Sequence, residues 1–153
     1  TEDDPGSHQT EARAHNLCAA IIRLLQPHNV PLWVKISPDL ADEQYAALLR
    51  AFAETGVKAV IATNTLGSPA PDGTTAGVGG GKLHPNSARV VALLSAEIQR
   101  QKYALDVIAC GGVQDQQTVQ AFTASGVRAM QYWSALIYRG PLAAALIEQE
   151  SLP

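Results

Sequence analysis

Cysteine is scarce: Cys18 and Cys110 are the only two in 153 residues, and each lies in an apolar stretch. That favours buried free thiols in a reducing compartment over a disulfide framework. Histidine is equally thin. His8, His15, His28 and His84 are scattered, and neither they nor the cysteines fall at metal-ligand spacing, so no metal site is expected. An excess of basic charge is missing too. The 11 Lys and Arg against 14 Asp and Glu leave a net charge of −3, which argues against nucleic acid as the main partner. No apolar run reaches the length of a membrane span, and no signal-peptide pattern is visible. The first residue is Thr1 and the single methionine is Met130, so a natural start is not shown. The last absence is chemical. Ser37 has no histidine placed to activate it, and no general base or nucleophile stands out.

What is present is a core. Hydrophobic residues make up 46% of the chain and charged ones 16%, the balance of a globular domain. Residues 1–9, TEDDPGSHQ, are polar and are expected to form a flexible segment ahead of one domain over 10–153. In "TEARAHNLCAAIIRLLQ" the apolar residues recur at helical spacing, with Leu17, Ala20, Ile21 and Leu24 on one face. "LWVKI" reads as a strand, apolar on both faces except for Lys35. "SPDLADEQYAALLRAFAETG" reads as a helix with Asp39 or Asp42 as N-cap and Gly56 as its stop. "KAVIATNT" is a second buried strand. A long loop over 66–85, rich in Gly, Pro and Thr, leads to the helix "NSARVVALLSAEIQRQ", with Asn86 as its cap. "LDVIAC" is a third strand, "QDQQTVQAFTASG" a helix closed by Gly126, "VRAMQYW" a fourth strand and "PLAAALIEQE" a final helix.

Helices and strands therefore alternate. Strands apolar on both faces imply a parallel sheet covered by helices, either a doubly wound sheet or part of a (β/α)8 TIM barrel. About four parallel strands make half of such a barrel. In both folds ligands bind at the C-terminal ends of the strands, and the unusual residues gather there. Gly111 and Gly112 join a strand to a helix, as a phosphate cradle would; a plain tight turn is the alternative. Lys35 stands in an apolar strand, where a lysine faces an anion or a wet cavity, or else reaches solvent from the strand end. An anionic reduced flavin would suit such a cation. Thr63, Asn64 and Thr65 offer donors and acceptors to a planar polar ligand, or serve as turn residues. Glycines 77, 79, 80 and 81 permit close ligand approach, or make the loop flexible. Asp39, Asp42 and Glu43 read as helix-start acids rather than catalytic ones.

Five stretches in this order, "VKISPDL", "ATNT", "AGVGGGKLHPNS", "IACGGV" and "MQYWSALIYRGP", resemble the C-terminal half of class 2, quinone-dependent dihydroorotate dehydrogenases. The likeness runs from about Val30 to Pro141. It implies a (β/α)8 barrel holding FMN at its C-terminal face. The implied activity is oxidation of dihydroorotate to orotate in pyrimidine biosynthesis, with a hydride passed to FMN and electrons then passed to a quinone. By position, the resemblance gives flavin contacts to Lys35, Thr63 and Gly80. It gives the flavin phosphate to Gly112, Trp133 and Ser134, and orotate to Asn64 and Thr65. Departures are visible. Gly79 stands where the family has a serine, and Trp133 where it has a tyrosine. The family's catalytic serine lies on an Asn-rich loop ahead of the matched region, so no catalytic residue is expected in this chain. The N-terminal part that meets quinone and the membrane surface lies ahead of it too. The resemblance implies peripheral membrane association for the parent enzyme. It also implies a chain that is inactive alone; because a half barrel exposes two sheet edges and apolar surface, it is expected to pair with the other half of the barrel or with itself, or to aggregate. A different FMN or phosphate barrel, and a non-catalytic binding module, are the alternatives.

Overall fold

In the computed structural model, residues 9–150 are described; the segment read as flexible lies almost wholly outside them. Helix α1 (Glu11–Leu25) leads through a short 3₁₀ turn to strand β1 (Trp33–Ile36), helix α2 (Asp42–Thr55) and strand β2 (Ala59–Ala62). A hairpin follows, β3 (Leu66–Pro69) and β4 (Thr75–Val78), and then α3 (His84–Gln101), β5 (Asp106–Cys110), α4 (Gln116–Thr123) and β6 (Ala129–Gln131). Two short helices close the chain, α5 (Ser134–Arg139) and α6 (Ala143–Gln149).

The main sheet has the order β1-β2-β5-β6, and all three pairings are parallel. Strand order follows chain order with no reversal. A doubly wound sheet reverses at a switch point and carries helices on both faces. Here α1, α2, α3 and α4 pack one against the next along a single face. That is the winding of a barrel wall, and it decides between the two folds left open by the sequence. Parallel neighbours in register point the same way. Lys35, Ile61, Ile108 and Ala129 share a row on the open face, while Ile36 and Ala62 point beneath the helices.

The core lies between sheet and helices. Tyr45, Leu48, Leu49 and Phe52 of α2 are each at most 1% exposed, and each such burial contributes on the order of 1.5–3 kcal/mol. The Tyr45 hydroxyl donates to the Ser37 carbonyl at 3.1 Å and accepts the Leu40 N–H at 3.2 Å, which fixes the turn leaving β1. At the end of the chain, Arg139 pairs with Glu150, and Glu150 accepts the Gln116 N–H at 2.9 Å. The last two helices are thereby tied to the start of α4.

Several expectations are corrected. The loop over 66–85 contains the β3–β4 hairpin. Its low β propensity hid it: the paired positions include Gly67, Gly77 and Pro69. The buried face of α1 is Ala14 and Cys18, while Leu17 and Leu24 are 59% and 74% exposed. Helix α3 starts at His84, so Asn86 lies within its first turn rather than capping it. Ala41, and neither Asp39 nor Asp42, is the N-cap of α2; the Gln44 side chain accepts its N–H at 3.0 Å, and Asp42 instead pairs with Arg89 at 2.8 Å. Gly56 does close α2, in a left-handed conformation. Lys35 is exposed on the open face of the sheet, and that exposure agrees with either reading of it from the sequence.

Candidate functional site

All the residues to which the resemblance gives a ligand contact line one pocket of about 260 Å³, together with Gly79 and Gly111, whereas Ser37, Gly77 and Gly81 stay outside its lining. Lys35 comes from β1, Thr63, Asn64 and Thr65 from the exit of β2, and Gly112 from the exit of β5. Trp133 and Ser134 come from the exit of β6, and Gly80 from the turn after the hairpin. A larger hollow of about 450 Å³ opens at the other end of the sheet, against Lys58, Asp106 and Arg128. It lies at the N-terminal ends of the strands, where barrels build stability rather than chemistry.

The pocket wall is held by backbone bonds between the strand exits. The Asn64 N–H donates to the Ile36 carbonyl at 2.8 Å, and the Thr63 N–H to the Cys110 carbonyl at 2.6 Å. The side chains of Asn64 and Thr65 are left exposed to the pocket mouth. Thr63 is 1% exposed, and its hydroxyl bonds to that of Ser87 at 2.8 Å. Lys35 reaches across the open face, and its ammonium donates to the Cys110 sulfur at 3.3 Å. Cys110 is therefore a half-buried thiol on the pocket wall, not the fully buried one expected; Cys18 is fully buried, and both are free.

The two glycines after β5 have left-handed φ angles of +112° and +85°. Their missing side chains are needed for packing as well. A Cβ on Gly111 would lie 2.2 Å from the Ser87 hydroxyl, and one on Gly112 would lie 2.8 Å from the Gly80 carbonyl and 2.5 Å from His84. The glycines let the N-terminal turn of α3 and the Gly80 turn close against the exit of β5. Near Gly80 stand the Ser134 hydroxyl and the Gln114 side chain.

The start of α4 differs from an open anion site. Asp115 caps it, accepting the Thr118 N–H at 2.8 Å, and Glu150 takes the Gln116 N–H. Those bonds hold both carboxyls below their ordinary range. Acids thus already satisfy that helix end, and an incoming anion would rest on the glycine turns and Ser134. His84, edge-on to Phe122 with ring centroids 5.0 Å apart, is pushed below the ordinary histidine value by burial, with Asp115 opposing. From the sequence no site role is expected of Ser87 in its helix, of His84 at the end of the 66–85 loop, or of Cys110, read as a buried thiol. Only their neighbours across the fold give them a place.

The fold and the pocket define a class: the wall of a (β/α)8 barrel whose strand ends converge on a polar, glycine-lined ligand site. The chain belongs to the dihydroorotate dehydrogenase family, whose profile matches residues 5–152. Dihydroorotate dehydrogenase (quinone) of Leifsonia xyli is 40% identical over 120 residues, covering 73% of this chain and 34% of the relative. The enzyme of the same name from Pseudomonas fluorescens Pf-5 is 36% identical over 118 residues, with the same shares covered. Both of these relatives are named as the quinone type. A crystal structure of the Eimeria tenella dihydroorotate dehydrogenase in complex with ferulenol superposes with a TM-score of 0.82 at 23% identity, covering 94% of this chain and 44% of that one. That likeness supports the barrel fold. The chain spans about a third of the length of the curated relatives it matches.

Proposed function

We propose that this chain supplies the C-terminal half of the barrel, over residues 10–153, of a quinone-dependent dihydroorotate dehydrogenase. The parent protein oxidises dihydroorotate to orotate, a step of pyrimidine biosynthesis. The observation that carries this is the convergence of one cation, Lys35, and of polar and glycine residues from all four strand exits on one pocket.

The residues fit a flavin mononucleotide. The glycine turns bring backbone close to the pocket, Ser134 adds a hydroxyl, and Lys35 adds a positive charge on the same side. In this reading Gly112, Trp133 and Ser134 hold the phosphate, while Thr63, Gly80 and Lys35 meet the rest of the cofactor. When bound, FMN supplies the hydride acceptance and the electron relay to quinone. Lys35 favours the form of the cofactor that carries negative charge. Asn64 and Thr65, exposed beside the cofactor position, orient orotate by hydrogen bonds. The residue that removes the substrate proton is contributed by the other part of the barrel, which also contacts quinone at the membrane surface. Among the described residues no helix is long and apolar enough to cross a membrane.

The test is FMN titration by flavin fluorescence, followed by a dihydroorotate-to-quinone assay with the remaining barrel residues supplied. FMN binding, with turnover only in the complemented protein, is expected. Binding of FMN without any orotate-dependent change, insensitive to Asn64→Ala, would favour a different flavin barrel. A chain that takes up no flavin in either setting would sink the proposal.

A further inference from the structure

Among the described residues, the fully buried polar side chains are Thr63 and Ser87, and they bond to each other at 2.8 Å. Burying two hydroxyls is costly unless they are paired, and two small apolar residues would fill the same space without that constraint. Ser87 does more than satisfy Thr63. Its hydroxyl and Cβ would lie 2.2 Å and 3.1 Å from a side chain at Gly111, so it occupies the space that glycine leaves. The Thr63 N–H donates to the Cys110 carbonyl, immediately before Gly111, at 2.6 Å. The exits of β2 and β5 and the first turn of α3 therefore meet at one side chain, directly behind the pocket.

We propose that Ser87 is a positioning residue of this pocket: from behind the wall it sets Thr63 and the Gly111–Gly112 turn in the arrangement a flavin requires. The proposal rests on the flavin reading above for the identity of the ligand, and on the geometry alone for the positioning. Ser87 is itself shielded from the pocket and touches no ligand. A merely structural serine would lower stability across the fold and leave the local order of the two strand exits unchanged relative to the rest.

The experiment measures FMN affinity by fluorescence and amide hydrogen exchange of the flavin-free chain, for Ser87→Ala, Ser87→Cys, Thr63→Val and the double variant Ser87→Ala/Thr63→Val. Ser87→Ala is expected to weaken FMN binding roughly tenfold, the scale of one buried hydrogen bond. Exchange at residues 63–65 and 111–113 is expected to rise by about the same factor, with α2 unaffected. Ser87→Cys, of similar size, restores part of both, and the double variant is no worse than its worse single parent. Unchanged exchange at both segments, an equal rise in α2, or losses that add in the double variant would each overturn the proposal. If the unmodified chain binds no FMN, alone or with the remaining barrel residues supplied, the flavin reading fails separately, and the exchange pattern still decides whether Ser87 positions the exits. Should Ser87→Ala fail to fold, Thr63→Val decides: faster exchange at 111–113 supports the proposal and unchanged exchange there overturns it.

Discussion

At the residue scale the pocket is a set of groups whose neighbours give them their properties. Cys110 and Cys18 are both free thiols, yet one lines the pocket and the other is 3% exposed. Iodoacetamide on the native protein should therefore modify Cys110 and spare Cys18, and added FMN should slow that reaction severalfold. Peptide mapping by mass spectrometry reads both, and labelling indifferent to FMN would place the flavin elsewhere. His84 gives a pH prediction. Its folded-state pKa is depressed below 6.5, chiefly by burial. The unfolded chain then takes up a proton more readily than the folded one, so the stabilisation is complete above 6.5 and is lost as pH falls below it. Denaturant midpoints should drop between about pH 7 and pH 5, and His84→Gln should flatten that slope. The depressed carboxyls of Asp115 and Glu150 act in a lower window, below the ordinary values of 3.8 and 4.5. An unaltered slope in His84→Gln would show that another group titrates there.

At the scale of elements, the alternation of helices and strands was legible because buried strands and amphipathic helices write different periods into the sequence. The positions of Lys35, Asn64, Gly112 and Ser134 at strand exits followed from that alternation alone. What was not legible depended on contacts between distant segments. The hairpin pairs glycines and a proline, residues that signal loops. The faces of α1 were exchanged because Ala14 and Cys18 are small and carry little hydrophobic signal, whereas Leu17 and Leu24 carry much and lie open. Ser87 looked like helix filler until Thr63 and Gly111 appeared beside it. One hydroxyl offers a test at this scale. Tyr45→Phe removes the two bonds that pin the turn after β1 while keeping the ring buried. It should cost about 1–3 kcal/mol in urea unfolding, the range for orphaned buried partners. A loss below a few tenths would mean the turn is held by its backbone.

For the molecule as a whole, the open edges dominate. The sheet ends at β1 on one side and β6 on the other, and apolar side chains stand exposed at both flanks. Leu17, Leu24 and Val30 lie by the first edge, and Ile137, Tyr138, Leu142 and Leu146 by the last. Unpaired edges and such patches invite association. Sedimentation of the isolated chain at micromolar concentration should show species heavier than the 16.2 kDa monomer, and addition of the complementary barrel half should replace them with a single complex. A monodisperse monomer unaffected by that half would argue against the incomplete wall.

The strand order has one more consequence. Within the main sheet, β2, β5 and β6 each pair with the main-sheet strand that precedes them, β5 reaching β2 across the hairpin, and α2, α3 and α4 each pack on the helix before them. Nothing in this wall waits for a distant segment to arrive before its neighbour can dock. Such a chain can acquire structure from its beginning onward as it leaves the ribosome, one strand-and-helix step at a time, at modest loop-closure entropy. The step that must wait is the seam, where β6 meets whatever strand closes the ring.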